Sequence, residues 1–329
     1  MKVLVLGGAG YIGSHTVYEL IAQSIQVVVI DSLETGFIKA VNPAAVFYKG
    51  DIKDIKFMNS VLKKEPDIDV VIHLAESSQV SESMDDPLKY YDNNLNGTMN
   101  VLKVLISHGI DKIVFSSTAA AYGNVDDSTA KETDPADPMN VYGETKLSTE
   151  KMLKWVEQAH GIKYVSLRYF NVAGAHESGK IGEAHIPETH LIPLVLQAAS
   201  GMRENICVFG TDYTTKDGTC IRDYIHVSDL AQAHVLAAKY LMGGNHSNIF
   251  NLGTGVGYSV KEVIEMTEKV TGKTITILEK ERRAGDVTAV VASSEKARMI
   301  LGWKPQQSSL KGIIQSAWRW QSSHPCGYQ

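Results

Sequence analysis

A tyrosine and a lysine four residues apart are the pair in this chain whose types and spacing best support catalysis. They are Tyr142 and Lys146, in the run Tyr-Gly-Glu-Thr-Lys. On a helix this spacing places both side chains on one face, one turn apart. A lysine ammonium stabilises a tyrosinate and lowers the tyrosine pKa from about 10 towards neutrality. The pair therefore predicts a phenolate base that removes a proton from a hydroxyl group.

Three hydroxyl-bearing residues precede this pair, at the end of an apolar run. They are Ser116, Ser117 and Thr118. If the run is a parallel strand, its carboxyl end lies at the edge of the sheet where ligands bind. Thr118 is predicted to share or relay the proton of Tyr142. For Ser116 and Ser117, turn and capping chemistry is an equally good explanation.

A glycine-rich run directly follows the first apolar segment and reads GGAGYIG over residues 7–13. Glycines at this spacing permit a tight turn and close approach to a pyrophosphate, whose negative charge a helix N-terminus attracts. Asp31 lies 18 residues beyond Gly13, near the distance at which an acid binds an adenosine ribose. Its carboxylate would repel a 2′-phosphate, so the pattern predicts NAD rather than NADP. A nicotinamide cation would join Lys146 in stabilising the tyrosinate.

The ends of the other predicted strands extend this cofactor site, because ligands of open α/β sheets bind at the carboxyl ends of the strands. For Asp51, which follows one of these strands, a role as N-cap of the helix that comes next is as good an explanation as cofactor binding. The cofactor residues predicted on these grounds are Gly7, Gly10, Tyr11, Ile12, Gly13, Asp31, Ser32, Asp51, Ile52, Leu74 and Ala75.

These sites require the element order of a doubly wound α/β fold. Apolar, β-branched runs alternate with amphipathic stretches, which predicts a parallel Rossmann sheet with helices on both faces. The predicted strands are 2–6, 26–30, 45–48, 69–74, 112–116 and 163–168, and the predicted helices are 11–23, 54–64, 87–108 and 141–160.

A change of pattern after residue 168 predicts a second domain. Residues 168–218 look rich in loops, and a helix over 227–241 and a strand over 248–252 follow. We expect an NAD-binding domain over 1–170 and a smaller domain over 171–329. The apolar helix–strand unit 228–253 is expected to pack back onto the first domain.

Composition argues against several other classes of protein. The chain has 329 residues, a formal net charge of -5 and no long run of one sign, so neither nucleic acid nor a membrane is expected as a partner. The scattered Cys207, Cys220 and Cys326, and histidines without HExxH spacing, do not predict a disulfide framework or a catalytic metal. The chain opens on the glycine-rich run without a cationic or cleavable leader, so we expect it in the cytoplasm.

Together these motifs resemble the extended short-chain dehydrogenase/reductase family, which has GxxGxxG near the N-terminus, Ser-Ser-Thr before the active site and Tyr-x-x-x-Lys after it. The resemblance is closer to the sugar-nucleotide 4-epimerases that interconvert UDP-glucose and UDP-galactose, and it covers nearly the whole chain. The runs that carry it are YYDNN (90–94), RYFN (168–171), GTCIRDYIHV (218–227), NLGTG (251–255), RRAGD (282–286) and WRWQ (318–321).

The resemblance implies roles for individual residues. Tyr142 would be the base, Lys146 its electrostatic partner and a ribose ligand, and Thr118 the active-site hydroxyl. The second domain would bind the nucleotide sugar, although any single arginine is ordinarily a solvated surface charge. The additional NAD residues implied are Asn93, Ser116, Tyr142, Lys146 and Tyr169, and the residues implied for the UDP-sugar are Asn171, His190, Leu191, Phe209, Arg222, Tyr224, Arg283 and Asp286.

The resemblance also bears on sugar range and assembly. In these epimerases the position four residues after the Gly-Asp pair faces the C2 substituent of the sugar, and here it is Val290. A valine implies that N-acetylated UDP-sugars are accepted as well, unless Val290 is simply a residue of a strand. The family dimerises through two long helices of each subunit, so a homodimer is expected through residues 88–108 and 141–160.

Two departures from the family pattern stand out. Many of these epimerases have a lysine near the NAD where this chain has Ser78, in the run Glu76-Ser77-Ser78. Cofactor affinity is the property that this change puts in doubt. His190 occupies a place where an asparagine often contacts the diphosphate, and an imidazole there would make binding sensitive to pH.

Two rival functions share parts of this sequence pattern. A nucleotide-sugar 4,6-dehydratase resembles a pattern with Asp-Glu directly after the active-site threonine, where this chain has Ala119-Ala120. Without that acid–base pair, elimination lacks its catalysts. A non-catalytic NAD-binding sensor shares the Rossmann fold, but the set of Tyr142, Lys146 and Thr118 argues against it.

Overall fold

The fold is built on a wholly parallel, seven-stranded sheet. The computed structural model describes residues 1–123, 129–283 and 287–329. The strands are β1 (Lys2–Leu6), β2 (Gln26–Asp31), β3 (Val46–Lys49), β4 (Val70–His73), β5 (Lys112–Thr118), β6 (Thr129–Ala130), β7 (Lys163–Tyr169), β8 (Asn171–Ala173), β9 (Ile206–Phe209), β10 (Ile221–His226), β11 (Asn248–Leu252), β12 (Gly257–Ser259), β13 (Ile277–Lys280) and β14 (Ala289–Ala292).

Helices cover both faces of this sheet. Those that pack on it include α1, α2, α5, α6 and α8. In chain order, the helices of the described residues are α1 (Tyr11–Ala22), α2 (Ile55–Lys64), α3 (Val80–Asp85), α4 (Pro87–Tyr90), α5 (Gly97–His108), α6 (Val141–His160), α7 (Leu191–Ala199), α8 (Val227–Met242), α9 (Val260–Thr271), α10 (Glu295–Ile300) and α11 (Leu310–Ser323). None of the helices in the described parts of the chain combines the length and the apolar composition that a bilayer crossing requires.

The order of strands in the large sheet is β11-β7-β5-β4-β1-β2-β3. The chain builds outwards from β1 through β2 to β3, then crosses back to β4 and builds the other half. The predicted doubly wound parallel sheet is therefore confirmed. Between β1 and β4 the direction of building reverses, and in such sheets a crevice for ligands opens at this point.

Alternation along the strands assigns each face of the sheet to a different set of helices. Val3 and Val5 pack in a cluster with residues of α1 and α8, whereas Leu4 and Leu6 pack with residues of α2 and α5. All four side chains are fully buried, and burial of each stabilises the fold by about 1.5–3 kcal/mol. Because both faces are covered, these strands are continuously apolar rather than alternating.

Beyond β7 the structure is more regular than the sequence suggested. Most of residues 168–218 lie in loops, as predicted, but β8, α7 and β9 interrupt them. Pro193 stands in the first turn of α7, where proline is tolerated, but it obscured the helical pattern. The strands of three and four residues are too short to show a period. A small sheet in the order β12-β10-β14-β6 completes this part, with β8 beside β10.

Two elements late in the chain belong to the large sheet and its layers. Strand β11 pairs in parallel with β7, and α8 packs against α1.

Early in the chain, the prediction of a single helix over 87–108 was wrong in one respect. A π-helical turn, Tyr91–Asn96, separates α4 from α5, and such turns are frequent at functional sites.

A buried ion pair ties α6 to the sheet. The Arg168 guanidinium of β7 donates from Nε to Oε1 of Glu150 on α6 at 2.9 Å, and the two side chains are 5% and 3% exposed. The same carboxylate oxygen accepts from the Ser117 hydroxyl at 2.6 Å. The carboxylate therefore joins α6 to β5 as well as to β7.

Replacement Glu150→Ala is expected to destabilise the protein by about 3–5 kcal/mol, because it leaves the Arg168 charge buried and unpaired. Urea unfolding measures the difference. Glu157→Ala is the matched control on the same helix, since its partner Lys163 has a side chain that is 41% exposed. We expect a change of only about 0–1 kcal/mol for the control. Equal losses in the two variants would contradict the role given to Glu150.

Candidate active site

A cleft of about 530 Å³ opens at the carboxyl ends of the strands in the large sheet. Every residue predicted to bind the cofactor contributes to its lining, and so does Thr118. These residues are Gly7, Gly10, Tyr11, Ile12, Gly13, Asp31, Ser32, Asp51, Ile52, Leu74, Ala75, Asn93, Ser116, Tyr142, Lys146 and Tyr169.

Lys146 lies in the floor of this cleft and is 1% exposed. Its Nζ donates to the backbone carbonyl of Ser116 at 2.5 Å and forms an ion pair with the Glu76 carboxylate. The ammonium also lies 5.1 Å from the ring centroid of Phe115 and 5.4 Å from that of Tyr142. A carbonyl, a carboxylate and two aromatic faces thus replace the water around this charge.

Burial and charge act on the Lys146 ammonium in opposite directions. Burial lowers its pKa well below the ordinary value, and the Glu150 carboxylate raises it. Direct contact with the Glu76 carboxylate also favours the charged form. Glu76 was not among the residues that the sequence singled out. The one signal for it was an acidic residue three positions beyond the end of β4, in a place open to ligands.

Tyr142 is 8% exposed and faces Thr118 at the end of β5. Burial raises its pKa above the ordinary value, the nearby Tyr169 acts in the same direction, and a hydrogen bond with Thr118 opposes them. The lowered pKa predicted from sequence required a second cation besides Lys146. Without it burial prevails.

The start of α6 is fixed by a cap and by close packing. The Asn140 side chain accepts from the backbone N–H of Gly143 at 2.8 Å, which satisfies a donor of the first turn. A Cβ at Gly143 would lie 2.5 Å from the carbonyl oxygen of Ala120, so only glycine permits this approach. Helix α6 therefore lies against the turn after β5, with Tyr142 beside Thr118.

The cofactor end of the cleft has the donors and acceptors that a dinucleotide needs. Within the described residues, no side chain caps the N-terminus of α1, which leaves its first N–H groups for an anion. Gly7 has φ +82°, and a Cβ there would lie 2.7 Å from backbone atoms of Leu74 and Ala75. Asp31 at the end of β2 accepts from the N–H of Ala9 at 2.9 Å. This set fits NAD, with the pyrophosphate at α1 and the adenosine ribose at Asp31.

The other residues predicted for the cofactor end either line the cleft or have a structural role. The alternative that Asp51 caps the following helix was wrong, because Asp54 caps α2 while Asp51 lines the cleft. The hydroxyls of Ser116 and Tyr169 are hydrogen-bonded to each other in the cleft. Ser117 instead donates to Glu150 and is fully buried, so its role is structural.

The opposite end of the cleft receives only part of the predicted substrate set. Four of its members line the cleft, namely Asn171, His190, Arg222 and Val290. Leu191 begins α7 and packs against apolar residues of that region. Tyr224 is 5% exposed, in the same apolar cluster as Ile192. Neither belongs to the described lining.

Two further residues predicted for the substrate contact each other. The guanidinium of Arg283 lies 4.8 Å from the ring centroid of Phe209. Strands β9 and β13 pair in parallel, which brings Phe209 at the end of β9 close to the residues after β13. Neither side chain is among the described residues of the lining. The predicted Asp286 lies outside the described residues.

His190 has neighbours that the sequence did not predict. Its Nδ1 lies 3.0 Å from Glu183 and 2.9 Å from Glu188, measured to the nearer carboxylate oxygen. Burial acts to lower the pKa of the imidazole, but the two carboxylates raise it above the ordinary value. Because 46% of the side chain is exposed, solvent weakens this shift. The ring still lines the cleft, where contact with a diphosphate was predicted.

Comparison with known proteins agrees with this site. Residues 3–253 match the model of the NAD dependent epimerase/dehydratase family. The chain is 55% identical to a UDP-glucose 4-epimerase of Streptococcus mutans, over 100% of this chain and 99% of that protein. A crystal structure of a UDP-glucose 4-epimerase is 50% identical, with a TM-score of 0.97 and full coverage of both chains.

A second similar structure contains bound ligands. It is the UDP-glucose 4-epimerase of Bifidobacterium longum in complex with NAD+ and UDP, which is 39% identical over 100% of both chains, with a TM-score of 0.94. The chain therefore belongs to the NAD dependent epimerase/dehydratase family and is a relative of its UDP-glucose 4-epimerases.

Proposed function

We propose that this protein catalyses the reversible 4-epimerisation of UDP-glucose and UDP-galactose through a transient 4-keto sugar. The observation that carries the proposal is the convergence of Tyr142, Thr118 and Lys146 in one cleft with the glycine-rich loop. The names of full-length relatives at about half identity support it. When bound, NAD would supply a group that can accept a hydride and give it back, so the reaction would have no net redox change.

The chain's own residues move the proton. Tyr142 takes the proton of the 4′-hydroxyl, and Thr118, which is hydrogen-bonded to it, shares or relays that proton. The Lys146 ammonium stabilises the phenolate and binds the nicotinamide ribose. The pKa of Tyr142 is raised by burial, so it keeps its proton until positive charge accumulates beside it.

The two ends of the cleft hold the two nucleotides. Asp31, Ser32, Asp51 and Ile52 bind the adenosine half of NAD, while Asn93, Ser116 and Tyr169 bind the nicotinamide half; that all seven line the cleft supports both assignments. Asn171, His190 and Arg222 hold the UDP moiety, with Arg283, Phe209, Leu191, Tyr224 and Asp286 completing its surroundings. With this assignment the cofactor domain comprises residues 1–170 together with 228–253. The substrate domain comprises the remaining residues of 171–329.

A rival elimination reaction lacks its groups in this cleft. Ala119 and Ala120 line it directly after Thr118, where a 4,6-dehydratase would need an acid and a base. Methyl groups there cannot protonate or deprotonate a sugar. Retention of the C6 hydroxyl is therefore part of the proposal.

Replacement Tyr142→Phe is expected to lower kcat roughly 10²–10⁴-fold, because it removes the proton acceptor, and to leave UDP binding unchanged. An anomeric-proton NMR time course with UDP-galactose and added NAD measures turnover, and calorimetry measures UDP affinity. Tyr18→Phe is the control, since Tyr18 lies on α1 outside the described lining. Near-normal turnover by Tyr142→Phe would show that Tyr142 is not the base. A wild-type protein that leaves UDP-galactose unchanged would refute the proposed activity.

The sugar range extends to N-acetylated substrates in this proposal. Val290 lies in β14 and lines the cleft, where a small side chain leaves space beside the C2 position of the sugar.

Val290→Tyr is expected to lower turnover of UDP-GalNAc at least roughly tenfold through steric crowding, with UDP-galactose turnover largely kept. Parallel NMR time courses on the two sugars measure the ratio. Val290→Ala is the control and should convert both substrates. A wild-type enzyme inactive on UDP-GalNAc, or a Val290→Tyr variant with an unchanged ratio, would contradict an open pocket at this position.

The protein is also proposed to be a cytoplasmic homodimer. Large apolar side chains on the outer surfaces of α4, α5 and α6 support the dimer, since Leu88, Ile106 and Trp155 are 78%, 37% and 67% exposed. A soluble chain covers such patches by association. Free thiols at Cys207, Cys220 and Cys326 suit the reducing conditions of the cytoplasm.

Trp155→Glu is expected to weaken the dimer by about 2 kcal/mol or more, as loss of a central tryptophan usually does. Multi-angle light scattering over a dilution series measures the mass of the particle. The mass of the variant should fall from two chains to one at a higher protein concentration than the mass of the wild type. Met299→Glu is the matched control, because Met299 is 72% exposed on α10, away from these helices. A wild-type monomer, or identical dissociation of the two variants, would rule out this interface.

A further inference from the structure

Four side chains with metal-binding atoms converge on the segment that precedes α7. They are Glu183, His185, Glu188 and His190, and one ligand atom from each lies within 4.8 Å of all the others. The segment borders the cleft, since Glu183, His185 and His190 contribute to its lining. The proton transfer proposed for Tyr142 and Thr118 does not use this cluster.

The spacing of these atoms matches the shell of a tetrahedral ion. Nδ1 of His185 lies 3.0 Å from Glu183 and 3.8 Å from Glu188. Nδ1 of His190 lies 3.0 Å and 2.9 Å from the same two carboxylates. Around Zn²⁺, with bonds of about 2.0–2.2 Å to nitrogen and oxygen, tetrahedral ligand atoms lie about 3.3–3.6 Å apart. All pairs of ligand atoms lie within 4.8 Å, so ion binding would draw the more distant pairs closer together.

Burial and charge favour a cation at the same point. The side chains of Glu183 and Glu188 are each only 7% exposed, while those of His185 and His190 are 27% and 46% exposed. Two carboxylates held together out of water are costly without positive charge between them. A divalent ion balances both, and neutral imidazoles complete its shell without adding charge.

We propose that Glu183, His185, Glu188 and His190 bind one Zn²⁺ ion. Two imidazole nitrogens and two carboxylate oxygens are a donor set that zinc accepts. The ligands lie close together in the order Glu-x-His-x-x-Glu-x-His, a spacing that differs from HExxH and from paired cysteines. Four protein ligands leave no open position, so the ion is structural rather than catalytic.

Such an ion would fix the wall of the cleft to the cofactor loop. The ring of His185 lies edge-on to the ring of Tyr11, with centroids 6.1 Å apart. Tyr11 belongs to the glycine-rich loop, and its hydroxyl donates to the carbonyl of Gly174 at 2.6 Å. Metal binding therefore orders residues 183–190 against the first turn of α1. The inference concerns metal content and stands independently of the proposed reaction.

The test is a metal titration of the full chain, purified without a metal-affinity tag and stripped with EDTA. Addition of Co²⁺ should produce the visible absorption bands of tetrahedral cobalt, and Zn²⁺ should displace them. After incubation with Zn²⁺ and gel filtration, elemental analysis should find one zinc ion per chain. These measurements use the unmodified protein, so they do not depend on whether a variant folds.

His185→Ala and His190→Ala are each expected to lower zinc affinity at least roughly tenfold, since even loss of a residue behind the ligands costs that much. His246→Ala is the control, an exposed histidine outside the cluster, and should bind zinc as the wild type does. The proposal would be overturned if the wild-type protein bound no zinc at micromolar free Zn²⁺. It would also be overturned if the His185→Ala and His190→Ala variants bound zinc with the same affinity as His246→Ala. In that case the cluster is an ion-pair network of a protonated imidazole and two carboxylates.

Discussion

The ammonium of Lys146, held out of water at the carboxyl end of β5, is the charge to which the rest of this structure is fitted. Withdrawing such a group from solvent costs several kcal/mol unless the fold supplies partners. The partners come from separate elements: the Ser116 carbonyl from β5, the Glu76 carboxylate from the end of β4, and the ring of Phe115 beneath. Strands β4 and β5 and helix α6 must therefore keep one arrangement, and the Glu150–Arg168 pair between α6 and β7 keeps it.

The same pairing decides when Tyr142 can act as a base. A lysine without a partner would stabilise the tyrosinate at all times, but Lys146 is paired with the Glu76 carboxylate, whose negative charge opposes that stabilisation. Burial then dominates and holds the pKa of Tyr142 above its ordinary value. The position at which many of these epimerases have a lysine near the NAD is Ser78 in this chain, so this part of the cleft lacks that cation. Reactivity is thereby coupled to the charge that the cofactor brings, which limits reaction when no cofactor is bound.

Local pattern predicted the sheet and the floor of the cleft well, because these depend on short-range rules. Apolar runs became parallel strands, and Tyr142 and Lys146 share one face of a helix as their spacing requires. What the pattern missed depends on packing between distant parts of the chain. Glu76 has no partner nearby in sequence, and its contact with Lys146 arises only when the segment after β4 comes together with α6. Pro193 hid α7, and Tyr224 belongs to a motif of the family yet packs into an apolar cluster.

The two ends of the cleft consequently differ in what holds their geometry. Strand ends and the first turn of α1 form the cofactor end, where backbone position alone sets the geometry. Loops and short strands form the substrate end, and a sugar that must present both faces to one hydride donor needs room there, while its nucleotide stays fixed. Tight anchoring beside a loose sugar pocket requires at least one stiff segment in the wall. Residues 183–190 meet that need, since buried carboxylates converge on Nδ1 of His185 and His190 beside Tyr11 of the cofactor loop. Rigidity at the substrate end thus comes from side-chain bonding, whereas at the cofactor end it comes from the sheet.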